Sequence, residues 1–194
     1  LQVGDTPQKF NMVSASDFSV LGGSPPKARY GAVIGDFVVL ASLDTSEFTV
    51  HWSGLNDAEQ WTPGTNSSDT QELADGGPIR GIIGTLGTAG YIFQSQAVQR
   101  MLFQPGSDVI FQFDKIEEAR GLLSPESLVQ VGTLVFYLSD DGFYRLTEGG
   151  SVPIGAKEVS DWFFKDVRSD MALAVDGAAD PINQRVLWSY VSKD

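Results

Sequence analysis

The apolar residues of this chain arrive in short bursts, each cut off by Gly, Asp, Ser, Asn or Pro. Strand-type runs are Ala32–Ile34, Phe37–Leu43, Phe48–Trp52, Ile79–Ile83, Tyr91–Phe93, Val98–Phe103, Val109–Phe113, Leu134–Leu138, Phe143–Leu146 and Val186–Val191. They are rich in Val, Ile, Phe, Tyr and Trp, which pack well on a pleated surface. Some alternate: Phe48, Val50 and Trp52 fall on one face of a strand, with His51 on the other. The breaks carry turn chemistry. Gly35-Asp36, Gly87-Thr88-Ala89-Gly90 and Asp140-Asp141-Gly142 supply the positive φ and side-chain-to-backbone bonds that tight hairpins need. Helical signals are few. Ser124-Pro125-Glu126-Ser127-Leu128 reads as one turn capped by Ser124. Ile154 to Phe164 places Ala156, Val159, Trp162 and Phe163 at the spacing of a short amphipathic helix. The fold class is all-β.

The hairpins recur. A turn followed by an aromatic or β-branched strand starts at Phe37, Tyr91, Val135 and Val186, intervals of 54, 44 and 51 residues. A second strand follows the first three: Phe48–Trp52, Ala97–Phe103 and Gly142–Leu146. A period of about 40–50 residues with four strands per unit is the signature of propeller blades, which stack because none buries both faces alone. The expectation is a single propeller-like domain over residues 1–194, with antiparallel blades of about 45–50 residues. An irregular sandwich of similar hairpins is the alternative. The last unit stops after one strand. The propeller is therefore expected to be incomplete, with the first segment completing the last blade or more chain following. The chain opens on Leu1 with no basic and apolar leader after it, which suggests a processed chain or a piece of a longer one.

Charge and composition narrow the function. Acidic residues outnumber basic ones 25 to 13, for a net charge of −12. Such a surface repels phosphate backbones and anionic lipid, but suits a channel that must not grip DNA. Having no cysteine removes disulfides, thiol catalysis and zinc fingers. The longest near-apolar run, Gly31 to Leu43, carries Asp36 and is too short to span a bilayer, so no membrane anchor is expected.

Catalytic constellations are weak. His51 is the lone histidine, expected on the outer face of its strand, and no Gly-x-Ser-x-Gly elbow surrounds any serine. Gly84 to Gly90 lacks the Lys-Ser/Thr ending of a phosphate loop and runs into a strand. Asp140-Asp141 reads as turn chemistry and Glu117-Glu118 as a solvated loop. Neither gives the converging carboxyls of a glycosidase nor the ligand spacing of a calcium loop. No catalytic, cofactor or metal residue is expected. Trp52, Trp162 and Trp188 read as core anchors. Trp61 stands apart, beside a polar tract from Thr62 to Thr70 that reads as a long loop. Trp61, Thr62, Asn66 and Asp69 are the candidate partner-contact residues.

An ordered series of phrases resembles one family. Val50-His51-Trp52-Ser53-Gly54-Leu55-Asn56-Asp57 is followed by Trp61-Thr62-Pro63, then Gly76-Gly77-Pro78-Ile79, then Gln96-Ala97-Val98-Gln99-Arg100-Met101. Gly121-Leu122-Leu123-Ser124-Pro125-Glu126-Ser127 comes next, then Val135 to Tyr144, Ile154-Gly155, and Val159-Ser160-Asp161-Trp162-Phe163-Phe164. The order, over residues 30–190, is similar to the β-propeller neck and tail proteins of short-tailed bacteriophages and prophages, of the packaged-DNA stabilisation and tail-nozzle type. The resemblance implies a structural virion protein. It would form a homo-oligomeric ring that continues the DNA channel and helps retain or conduct the genome. Portal, adaptor or tail subunits would be its partners, and it would be made in the bacterial host cytoplasm. It implies no catalytic residue. Relatives of that kind are usually much longer. A carbohydrate- or receptor-binding module for host attachment is the second reading, and a glycan-degrading propeller enzyme the third.

Overall fold

A computed structural model describes residues 5–14, 16–86, 89–155 and 157–193. A short ribbon, β1 (Gln8–Lys9) and β2 (Ser19–Val20), comes first. Three four-stranded antiparallel sheets then follow one another. The first is β3 (Ala28–Ile34), β4 (Phe37–Leu43), β5 (Thr49–Trp52) and β6 (Asp69–Glu72). The second is β7 (Ile79–Leu86), β8 (Ala89–Gln94), β9 (Val98–Phe103) and β10 (Phe111–Glu117). The third is β11 (Val129–Val131), β12 (Leu134–Ser139), β13 (Gly142–Thr147) and β14 (Gly150–Pro153). The helix α1 (Lys157–Asp166) leads to a last ribbon, β15 (Asp176–Asp180) and β16 (Arg185–Ser189).

Strands account for 46% of the chain and helix for 9%, so the all-β class holds. Within each four-stranded sheet the strands lie side by side in chain order, as in a propeller blade. Their first strands begin at Ala28, Ile79 and Val129 and the last ribbon at Asp176, intervals of 51, 50 and 47 residues. First strands meet between the first and second blades, where β3 lies against β7, and between the third blade and the last ribbon, where β11 lies against β15. Shared apolar clusters show that the blades stack face to face. No ring closes. Among the described residues β1 and β2 pair only with each other, so the first segment does not complete the last unit.

Hydrophobic clusters sit between the blades. Ile34, Phe37, Val39, Val50 and Trp52 of the first pack on Ile79, Ile92, Met101 and Phe111 of the second. Phe93 and Val98 of the second pack on Val135, Tyr137 and Tyr144 of the third. Burying each such side chain is worth about 1.5–3 kcal/mol against leaving it in water. The middle strands are sandwiched between neighbours, which explains why β8 is buried along its whole length. The two outward faces of the row are covered by other elements. Trp61 and Leu21 pack on Ala28, Leu40 and Leu43. Phe163 of α1, with Trp188 and Tyr190, packs on Leu138 and Phe143.

Several local expectations shift. The hairpin tips at Gly35-Asp36 and Asp140-Asp141 fall where expected, with Gly35 at φ 57°. Gly87 and Thr88, and Ala156 of the helix pattern, lie outside the described residues. Val109 precedes its strand, which runs on to Glu117. Glu117 is no solvated loop residue: its side chain is only 13% exposed and lies 3.8 Å from Arg120 Nη1. Ser124 precedes a single 3-10 turn, Pro125–Ser127, but does not cap it with its side chain. Its hydroxyl contacts the carbonyls of Leu173 and Val175, each at 2.8 Å, which ties the third blade to the last ribbon.

Candidate functional site

The loop between β5 and β6 was the stretch the sequence singled out. It is a folded surface rather than a tether. Trp52 donates from Nε1 to Ser67 O at 2.8 Å, and Ser68 Oγ donates to Trp52 O at 2.9 Å. Asn66 Nδ2 donates to Leu55 O at 3.1 Å. Thr62, Asn66 and Asp69 are exposed, as a contact surface requires. Trp61 is not: it is buried, with its Nε1 donating to Ala58 O at 2.8 Å. Its ring seals the outer face of the first blade and offers no stacking platform. Asp69 lies on β6, paired with Trp52, so the loop ends two residues earlier than the polar tract implied.

His51 does not stand free on an outer face. It is half-buried, with its ring edge-on to Trp61 at 5.3 Å between centroids. Its Nε2 is buried without a hydrogen-bond partner. Burial holds its pKa below the ordinary histidine value, although the Trp61 backbone and Asp69 pull the other way. Trp162 departs from the core role expected for it and is 61% exposed. With Val159, Trp188 and Tyr190 it lines an open apolar cleft of about 310 Å³ beside α1.

A second, larger cavity was not legible in the sequence. It is a funnel of about 620 Å³ where the first strands begin. Arg29 and Tyr30 come from the start of β3, Ser42 from the end of β4 and Glu47 from the turn beyond it. Arg80 comes from β7 and Glu126 from the 3-10 turn ahead of β11. Three blades thus converge on one opening. Arg80 is oriented by its Nη1, which donates to Leu122 O at 3.1 Å and Leu123 O at 2.8 Å. Arg29 places its guanidinium carbon 5.9 Å from the centroid of the Tyr30 ring. Burial raises the Tyr30 pKa, and the nearby Arg29 charge opposes that rise. Among the described residues neither arginine forms an ion pair with a carboxylate. Ser42 is buried yet held at φ 57°, a conformation costly for a residue with a side chain. These residues are scattered across the sequence, and no local motif joins them.

Among the described residues, no group of three or more His, Asp or Glu gathers to hold a metal ion. Among the described residues no helix is long and apolar enough to cross a membrane. No protein-family model and no curated protein matches the chain.

Proposed function

We propose that this chain is an architectural part of a bacteriophage particle. In this reading it is a structural virion protein of the neck or tail, working by assembly with no bond made or broken. The ordered motif series supports the phage assignment, and the serial blades supply the rigid scaffold such a part needs. The observation that carries assembly is where apolar surface is left exposed. Among the described residues, sixteen large apolar side chains are exposed, and twelve of them lie in residues 10–20 or 159–191. Phe10, Met12, Phe18 and Val20 cluster at one end of the chain's path, and Trp162, Ile182, Leu187 and Val191 at the other. Exposed apolar patches of this kind mark protein contacts. Two different sticky ends make a heterologous contact, which closes into a ring when the rotation allows. A net charge of −12 per copy would keep DNA off the wall of the channel such a ring encloses.

The test has two parts. Light scattering on the purified protein should give a discrete multiple of 20.9 kDa, and averaged electron micrographs should show rings. Labelled antibody against the chain should mark the head–tail junction of purified particles. A monomer at every concentration, or a label confined to soluble host extract, would overturn the reading.

A further inference from the structure

We propose that the funnel at the head of the first strands binds a carboxylate-bearing sugar, with Arg29 and Arg80 on the carboxylate and Glu47 and Glu126 on the hydroxyls. This goes beyond the assembly reading and does not rest on it.

The argument starts from charge. On a chain of net charge −12, an arginine without a carboxylate partner is surplus, because acids are abundant. Two such arginines face one cavity. Arg80 has already spent one nitrogen on two backbone carbonyls, which fixes its planar fork and keeps its remaining donors for a ligand. A guanidinium fork matches a carboxylate or a phosphate. The same cavity holds Glu47 and Glu126, which choose between these. A phosphate dianion would bring a second negative charge against two carboxylates and offers them at most one donor. A sugar acid carries one negative charge for the arginines and several hydroxyl donors for the glutamates.

Other features fit the same class. Tyr30 contributes a ring and a hydroxyl that makes no hydrogen bond among the described residues. Ser42 adds a second hydroxyl without such a bond, on a strained backbone at the end of β4. Strain of that kind collects at ligand sites. The cavity volume, about 620 Å³, lies in the range of small-molecule sites. The residues come from three stacked blades, so the site exists only once the blades have packed.

Calorimetric titration tests this with glucuronate and N-acetylneuraminate, against glucose, glucuronate methyl ester, acetate and inorganic phosphate. At least one acid should bind saturably. Its neutral counterpart should bind at least about tenfold more weakly, the size of a lost charge-assisted hydrogen bond. Acetate and phosphate should not compete at equal concentration. Arg29→Gln removes an exposed side chain with no ion pair, so the fold should survive, as circular dichroism would show; binding should fall at least about tenfold. Arg80→Lys should do the same while retaining the charge, because the fork is lost. A polysaccharide containing glucuronate separates the two sources of the ligand: tighter binding than the monosaccharide points to a surface glycan, and equal binding to a free sugar acid. No binding of either acid would overturn the proposal. So would equal binding of acid and ester, phosphate binding tighter than both acids, or an Arg29→Gln variant that binds as well as the parent.

Discussion

His51 and Trp61 form a small lid over the outer face of the first blade, and their chemistry makes that lid sensitive to acid. Half-burial, with Nε2 unpartnered, favours the neutral imidazole and depresses its pKa. In the unfolded chain the group titrates near its ordinary value of 6.5. Above that pH both states are neutral and nothing is lost. As pH falls through it, the unfolded chain takes up a proton that the folded chain resists, and stability drops until the depressed folded pKa is reached. Urea midpoints measured at about pH 7.5 and about pH 5.5 should therefore fall for the parent and fall less for His51→Gln. Equal falls would remove the effect from His51. The same pair shows what single residues conceal. Trp61 beside a polar tract reads as exposed and Trp162 inside an apolar stripe reads as buried, yet the structure has them the other way round. In each case the deciding partner is remote in sequence: Ala28 and Leu40 for Trp61, and for α1 the side chains of Leu138 and Phe143, which pack on Phe163 and leave Trp162 out of the cluster.

Strands differ in how loudly they announce themselves. The second strand of every unit was legible, because β4, β8 and β12 lie between partners and are apolar for most of their length. The fourth strands of the first and third units were not. Every residue of β6 (Asp69, Thr70, Gln71, Glu72) is exposed, and β14 (Gly150, Ser151, Val152, Pro153) is short and half polar. Such strands form because the neighbouring strand offers its edge, and that information lies in the neighbour. The connectors have their own constraint. Gly121 links the second blade to the third so closely that an added Cβ would sit 2.2 Å from Gln94 O and 2.3 Å from Ser95 C. Backbone atoms cannot step aside as a side-chain tip would. Gly121→Ala should cost about 2–3 kcal/mol, the upper part of what overpacking takes, and lower the thermal midpoint by several degrees. Gly149→Ala, where a Cβ meets nothing, is the control and should change the midpoint little. A Gly121→Ala protein as stable as the parent would mean that the blades are not packed this tightly.

Taken together, three blades and two ribbons make a row whose flat faces are sealed by Trp61 on one side and Phe163 on the other. Sealing the faces while leaving apolar residues on the terminal ribbons puts the sticky surface at the extremities of the row. The outer edge of β16 is also unpaired among the described residues, and an unpaired edge accepts another strand. Two forces then oppose each other when copies meet. Apolar contact through residues such as Phe18 and Leu187 favours association. Repulsion between copies that each carry −12 resists it. Salt screens the second force and leaves the first, since the Debye length shrinks from about 30 Å at 0.01 M to about 8 Å at 0.15 M. Assembly should therefore tighten as ionic strength rises over that range, the reverse of an interface held by salt bridges. Leu187→Lys places a charge on an exposed site within the proposed contact. It should shift sedimentation toward the single-chain species while leaving the thermal midpoint of the isolated chain within a degree or two, because the side chain is 57% exposed and packs on little. Leu187→Met keeps the apolar surface and should assemble like the parent. If Leu187→Lys associates as strongly as the parent, or if salt disperses the assembly, the contact lies elsewhere on the molecule and the terminal ribbons are not its seat.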